Sequence, residues 1–212
     1  MLFRSVYKGR YYFDLHIGDK VFYDIEFNYP GLHNIENAIV ASAVALECGV
    51  SIDELRHGLR TFEGVKRRFD YRIKTDDFIY IDDYAHHPNE LKATIDSVRH
   101  LYPNKRITGI FQPHLYSRTR DFGDEFARIL ETLDEIILLD IYPAREEPIA
   151  GITSKGLLSK INKMDKYLSG KDELTDLLLA FNPEVLLTLG AGDIDKLVSP
   201  IEKVFQDKNI GG

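Results

Sequence analysis

The spacing of apolar residues divides the chain into two patterns that meet near Gly64. In the first, two short aromatic and β-branched runs, Tyr11–Leu15 and Val21–Ile25, flank a Gly-Asp-Lys turn and predict a β-hairpin. Apolar residues then recur at helical spacing from Ile35 to Leu46, and the capping-box pattern Ser51–Glu54 begins a second helix. We therefore predict a small β unit followed by two helices.

After Gly64 the chain alternates short apolar runs with helical patterns. The predicted strands are Phe78–Asp82, Ile107–Phe111, Ile136–Leu139 and Val185–Leu189. The predicted helices are Pro88–His100, Phe122–Glu131, Ser154–Asn162, Asp172–Phe181 and a last one from Asp193, which Pro200 kinks or divides. Continuous apolar runs of this length are typical of strands buried in a parallel sheet. The alternation predicts a doubly wound α/β domain.

Composition and charge narrow the class of protein. The chain has 212 residues, of which 44% are hydrophobic and 29% charged, as in ordinary globular domains. No apolar run approaches the roughly 20 residues of a membrane helix, and no secretory signal is visible. A net charge of −7 argues against a nucleic-acid partner. The single cysteine, Cys48, agrees with a reducing compartment. We expect a cytoplasmic protein with no nucleic-acid or membrane partner.

The candidate chemistry follows the predicted strands. Ligands of doubly wound folds bind outside the carboxyl ends of the strands. Three stretches crowded with titratable groups stand there: Asp82–Glu90, Gln112–Asp121 and Asp140–Glu147. In the second stretch, His114 with Arg118 and Arg120 suits a carboxylate or another anion, because guanidinium groups bind such groups bidentately. A solvated loop of surface arginines is the alternative.

Three other signals are weaker. The adjacent pair His86–His87 suggests a metal, but neighbouring side chains diverge and no cluster has ligand spacing, so we predict no metal site in this chain. Residues Lys66–Arg68 fit either a solvated turn or a phosphate contact. The Gly190–Asp193 turn has two glycines of a dinucleotide fingerprint and lacks the third, which favours a tight turn over NAD binding. No Walker A phosphate loop is present.

Longer motifs carry a resemblance to a known family. The segments Gly31–Ala38, Gly64–Phe69 and Asp82–Pro88 resemble the Mur ligases, the ATP-dependent amide-forming enzymes of peptidoglycan synthesis. Other segments are similar to those of the members that add L-alanine to UDP-N-acetylmuramate: Phe111–Arg120, Asp140–Ala144 and Gly190–Ile194. The resemblance spans nearly the whole chain, with the motifs in order.

The resemblance implies a domain organisation and a reaction. Residues 1–69 would be the end of the family's central ATPase domain, and residues 70–212 its Rossmann-like C-terminal domain. The chain would then be a fragment, inactive alone. The implied reaction is ATP-dependent: the lactyl carboxylate of UDP-N-acetylmuramate is phosphorylated, and the amine of L-alanine attacks the acyl phosphate. The Mg²⁺ ion would be held mainly by central-domain residues outside this chain.

The resemblance also implies roles for individual residues. Asn34 and Asn37 would bind the adenine of ATP, with His33 beside them, since an amide offers both a donor and an acceptor. Arg68 would reach the ATP phosphates after domain closure, and Asp83 would lie near the ribose.

A second group of residues would surround the incoming alanine and the lactyl carboxylate: Tyr84, His86, His114 and Arg118. The resemblance implies that the catalytic residues are Arg68, His86 and Arg118. Two positions depart from the family pattern. Leu115 stands where many members have arginine, and Arg145 stands where a glycine is common.

Three alternatives stay open at this point. A ligase that recycles a preformed tripeptide shares the Asp82–Pro88 region, although Pro113–Arg120 favours the alanine enzyme. The chain could instead be a non-catalytic nucleotide- or peptide-binding module that keeps the motifs as scaffold. An NAD-binding domain is the third alternative, and the incomplete glycine fingerprint argues against it.

Overall fold

The computed structural model describes residues 2–7, 10–29 and 31–210. The chain forms two compact units, Met1–Val65 and Lys66–Gly212. This division lies close to the boundary that the resemblance implies, between residues 69 and 70. The assignment of the first unit to an ATPase domain stays a prediction. Among the described residues, no helix combines the length and the apolar character needed to cross a membrane.

The first unit combines one antiparallel sheet with two helices. Its strands, in sheet order, are β1 (Leu2–Tyr7), β2 (Arg10–Ile17) and β3 (Lys20–Phe27), and its helices are α1 (Leu32–Glu47) and α2 (Ile52–Thr61). The predicted hairpin and both predicted helices are confirmed, whereas β1 was not predicted. Ser51 Oγ accepts the Glu54 N–H at 3.3 Å and Glu54 Oε2 accepts the Ser51 N–H at 2.9 Å, so the capping box begins α2 as expected.

The second unit is built on a six-stranded sheet. Its strands are β4 (Asp70–Lys74), β5 (Ile79–Asp83), β6 (Ile107–Phe111), β7 (Glu135–Leu138), β8 (Lys166–Leu168) and β9 (Val185–Leu189). Their order in the sheet is β4-β5-β9-β6-β7-β8, and every pairing is parallel except that of β4 with β5. The predicted α/β class is confirmed. Strands β4 and β8, at the two edges, were not predicted.

Helices cover both faces of this sheet. They are α3 (Pro88–Leu101), α4 (Tyr116–Leu130), α5 (Ser154–Lys160), α6 (Leu174–Phe181) and α7 (Asp195–Ile210). Helix α3 packs against α4, and α4 against α5. On the other face, α6 and α7 share one apolar core with the strands, formed by residues such as Tyr80, Ile110, Ile137, Leu178, Leu186 and Ile201.

Two helix predictions are corrected. Helix α4 begins at Tyr116 rather than Phe122, because a carboxylate from another loop holds its first turn, as described below. Of the two outcomes predicted for Pro200, division of the last helix is wrong, because α7 continues through the proline, and the kink stays a prediction. Phe205 lies beyond the proline in the same helix and stacks on Phe78 with 4.5 Å between ring centres, so core packing outweighs the hydrogen bond that the proline removes.

Candidate active site

The three predicted stretches do meet at the carboxyl ends of the parallel strands. The Gly190 N–H donates to the Asp83 carbonyl at 3.2 Å, which links the loops after β9 and β5. The Leu115 N–H donates to the Tyr142 carbonyl at 2.9 Å, which links the loops after β6 and β7. Because these strands are neighbours in the sheet, their polar loops form one continuous surface.

Aromatic and imidazole rings form a row along this surface. The Tyr84 and His86 rings are 5.2 Å apart, and the His86 and His114 rings are 5.8 Å apart, both edge to face. The His114 ring in turn stacks on Tyr142 at 5.7 Å. Three residues that the resemblance assigns to the substrates, Tyr84, His86 and His114, therefore lie side by side.

Arg118 supplies the positive charge beside His114. Arg118 Nη1 lies 3.3 Å from His114 Nδ1. A guanidinium can only donate, so His114 Nδ1 is the acceptor and the ring is neutral. Burial lowers the pKa of His114, and the charges of Arg118 and His86 lower it further, whereas Glu146 opposes them. A permanent cation beside a neutral imidazole suits a ligand carboxylate.

The first turn of α4 is held from outside the helix. Its N-cap residue, Leu115, has φ 72° and ψ 135° and makes no side-chain cap. Glu146 supplies the missing acceptors, binding the Ser117 N–H at 2.9 Å and the Ser117 hydroxyl at 2.5 Å. The hydroxyl bond and then the N–H bond lower the pKa of Glu146. Ser117 and Glu146 thus fix the start of the helix that carries Arg118, a role that the sequence analysis did not assign.

Adjacent carboxylates at the end of β5 are both buried. Asp83 accepts the Phe69 N–H at 2.7 Å and the Ala85 N–H at 2.8 Å, one on each oxygen. Burial raises the pKa of Asp83 to about 6, against the effect of these two bonds. Asp82 accepts the Thr188 hydroxyl at 2.7 Å. The position of Asp83 beside a ribose stays a prediction, since the described contacts are with the protein's own backbone.

The adjacent residues Arg67 and Arg68 differ in their partners and in their exposure. Arg67 donates to Asp82 at 3.0 Å and to the Gly190 carbonyl at 2.7 Å, so it ties its own loop to strand β5 and to the turn after β9. Arg68 is half exposed, with its guanidinium 5.4 Å from the centre of the Tyr84 ring. Of the pair, Arg68 is therefore the one whose cation is accessible to an anion. The sequence left residues 66–68 undecided between a solvated turn and a phosphate contact, and it did not predict the contacts of Arg67 with Asp82 and Gly190.

Close packing accounts for the glycines after β9. A Cβ added to Gly192 would lie 2.4 Å from Gln112 Oε1 and 2.7 Å from Tyr142 Cβ. At Gly190 φ is +145°, and an added Cβ would lie 2.8 Å from the Gln112 carbonyl. These glycines approach protein atoms where a dinucleotide fold would place a pyrophosphate, which supports the tight turn that we predicted.

The residues predicted to bind adenine lie in the first unit. Asn34 is half-buried and Asn37 is exposed, and their spacing of three places them on one face of α1. The side chain of His33 lies outside the described part of the structure. The adenine-binding role of these residues stays a prediction. In the part of the chain that the structure describes, no three His, Cys, Asp or Glu side chains gather as a metal site would require.

Comparison with known proteins identifies relatives of both units. A family model described as "Mur ligase, glutamate ligase domain" matches residues 67–192. The chain is 51% identical over 182 residues to the UDP-N-acetylmuramate–L-alanine ligase of Parabacteroides distasonis, covering 86% of the chain and 39% of that protein. The corresponding ligase of Christiangramia forsetii is 48% identical over 198 residues, covering 93% of the chain and 44% of that protein.

A solved structure shares the fold. The crystal structure of UDP-N-acetylmuramate-alanine ligase from Thermotoga maritima matches with a TM-score of 0.77 at 24% identity, covering 95% of this chain and 44% of that one. The chain thus spans less than half the length of the curated relatives named above. Because the family model covers more than half of the chain and includes the loops of the candidate site, the chain belongs to the Mur ligase family.

Proposed function

We propose that the protein containing this chain is an ATP-dependent ligase that joins L-alanine to UDP-N-acetylmuramate. The relatives of known name support the substrates, since they are 48–51% identical over most of this chain. The single observation that carries the proposal is the Arg118–His114 pair at the carboxyl edge of the sheet, 3.3 Å apart and beside His86. The product of the proposed reaction would be a peptidoglycan precursor made in the cytoplasm. The protein would therefore take part in cell-wall growth and division.

The site residues fit the two halves of this reaction. Arg118 would orient a carboxylate, of the incoming alanine or of the sugar's lactyl group, through a charge-assisted hydrogen bond. Arg68 would contribute positive charge near the transferring phosphoryl group. Mg²⁺ held by residues outside this chain would neutralise the ATP phosphates when bound.

Phosphate release by the full-length protein tests the proposal. With ATP, Mg²⁺ and UDP-N-acetylmuramate, we expect release that depends on L-alanine and that a preformed tripeptide does not support. Tripeptide-dependent release would assign the protein to the recycling ligases. ATP binding with no release for either acceptor would favour a non-catalytic module.

A matched pair of variants in the same full-length protein tests the site. Arg118→Ala should lower kcat/KM for L-alanine by about 10- to 100-fold, the loss expected for one hydrogen bond to a charged group. Arg128→Ala removes an exposed arginine from the same helix, away from the row of rings, and should change kcat/KM by less than about twofold. Equal effects of the two changes would remove Arg118 from the site.

A further inference from the structure

Glu90 lies where three residues of the candidate site meet. Its Oε2 atom accepts the His86 N–H at 3.0 Å and the His87 N–H at 3.2 Å, and lies 3.2 Å from His86 Nδ1. Its Oε1 atom lies 3.9 Å from Arg68 Nη1. Burial would raise the pKa of Glu90, but the bonds from His86 and His87 and the nearby positive charges outweigh it and lower that pKa. The carboxylate is therefore ionised near neutral pH.

The surroundings of three histidines fix different ring nitrogens as proton carriers. His86 Nδ1 lies 2.9 Å from the Tyr84 carbonyl as well as near Glu90, and both are acceptors, so Nδ1 carries a proton. His87 Nδ1 instead accepts the Asn89 N–H at 3.4 Å, and His114 Nδ1 accepts from Arg118. His86 thus differs from both of its histidine neighbours in leaving Nε2 as its unprotonated nitrogen when the ring is neutral.

We propose that Glu90 is a positioning residue, which holds His86 in the Nδ1–H form so that Nε2 serves as the proton acceptor for the incoming amino acid. Carboxylates orient imidazoles in this way at many catalytic sites, and they stabilise the imidazolium that forms. This inference rests on the proposed function for the identity of the amine. The arrangement of Glu90 and His86 stands independently of it.

The step that His86 would serve balances as follows. The ammonium group of L-alanine gives one proton to His86 Nε2, which leaves a neutral amine and an imidazolium. The amine nitrogen attacks the acyl-phosphate carbon, so a C–N bond forms. The C–O bond to phosphate then breaks, its electron pair goes to the phosphate oxygen, and the departing phosphate takes the second amine proton.

Other charged and titratable groups also face His86. The Tyr84 and His114 rings contact it edge to face, and Arg118 adds a cation behind His114. Arg68 contacts the same Tyr84 ring, with its guanidinium 5.4 Å from the ring centre. Among these groups Glu90 supplies the negative charge within 4 Å of the His86 ring. A variant that lacks this charge therefore shows its effect on His86 separately from the effects of the other groups.

Nitrogen-15 NMR of this chain tests the geometry without requiring ligase activity. We expect His86 to carry its proton on Nδ1, with His87 and His114 protonated on Nε2 as internal references. Glu90→Gln keeps one carbonyl oxygen that can accept the His86 and His87 N–H groups, and it removes the negative charge. In Glu90→Gln a measurable fraction of His86 should then change to the Nε2–H form, because a neutral amide oxygen accepts the Nδ1 proton more weakly than a carboxylate does.

Glu54→Gln is the matched control, because Glu54 forms the capping box of α2 with Ser51 and belongs to the other unit. It should leave the proton of His86 on Nδ1. An Nε2–H form of His86 in the unaltered chain, or an Nδ1–H form that Glu90→Gln leaves fully populated, would overturn the proposal.

Kinetics of the full-length protein then separate the two proposals. In Glu90→Gln the acidic limb of the kcat/KM profile for L-alanine should move to lower pH, and the plateau should fall by about tenfold or more. An unmoved limb in an enzyme that still ligates alanine would overturn the role of Glu90 alone. Failure of the unaltered protein to ligate alanine would overturn the proposed function and leave the NMR result standing.

Discussion

At the scale of single residues, the site is organised by charged groups and the hydrogen bonds that hold them. Asp83 is an acid held at the end of β5 by two backbone N–H groups. Arg118 and Glu146 act at the start of α4, one on the His114 ring and the other on the backbone of Ser117. Phe69 lies on a different loop from Asp83, and Glu146 lies on a different loop from Ser117, so these contacts form only when the loops are assembled.

Asp83→Asn should destabilise the chain most at acidic pH. Asparagine keeps one acceptor oxygen, so one of the two backbone N–H groups loses its partner, at a cost of about 1–3 kcal/mol. Burial raises the pKa of Asp83 to about 6, above its ordinary value of 3.8. The folded chain therefore keeps a proton that the unfolded chain has lost, and the wild type loses up to about 3 kcal/mol from this group as pH rises through that window.

Urea unfolding of the wild type and of Asp83→Asn at pH 4 and pH 7 measures this difference. The gap in the free energy of unfolding should narrow as pH rises, since the amide does not titrate. A gap that widens towards pH 7 would show that Asp83 is stabilised as a carboxylate in the folded chain.

At the scale of elements, long-range contacts decide how the loops end and the helices begin. The turn after β9 packs against Gln112 of the loop after β6, whose Oε1 accepts the Ile194 N–H at 2.9 Å. Its Nε2 donates to Asp193 at 2.8 Å, and Lys171 pairs with the same carboxylate oxygen at 2.5 Å. This network leaves room only for glycine at Gly192.

Gly192→Ala should destabilise the second unit by about 1–3 kcal/mol, because the new methyl group would overlap Gln112 and Tyr142. Gly170→Ala is the control in the same unit, since a Cβ there meets no atom within 4 Å. Urea unfolding of both variants checks the prediction. Equal stability of the two would mean that the turn relaxes without cost.

At the scale of the whole molecule, each unit has buried apolar residues of its own. In the first unit Phe13, Leu15 and Ile25 are fully buried, and in the second a continuous core joins the sheet to α6 and α7. The family match from 67 to 192 lies within the second unit. A unit of this size with its own core meets the usual requirements of an independent domain.

Residues 66–212 should therefore fold without residues 1–65. We expect a cooperative thermal transition by circular dichroism and a dispersed amide spectrum. The spectrum should overlay that of the full 212-residue chain for strands β5, β6 and β9. A broad, non-cooperative transition would show that the second unit needs the first in order to fold.

The sequence by itself determined the elements whose signals are local. The apolar runs Ile107–Phe111 and Val185–Leu189 coincide with β6 and β9, because strands buried on both faces are mostly apolar. Ser51 and Glu54 define the start of α2, since both members of a capping box lie within one turn. The order of motifs was also sufficient to identify the family, and the match of the family model over residues 67–192 confirms it.

Only the tertiary structure decided the features that depend on distant partners. The start of α4 depends on Glu146, 29 positions beyond Ser117, so no local pattern could place it. Arg67 and Arg68 differ because Arg67 reaches the Gly190 carbonyl, 123 positions away. Edge strands such as β4 and β8 form through backbone pairing with one neighbour, and backbone hydrogen bonds leave little mark on side-chain pattern.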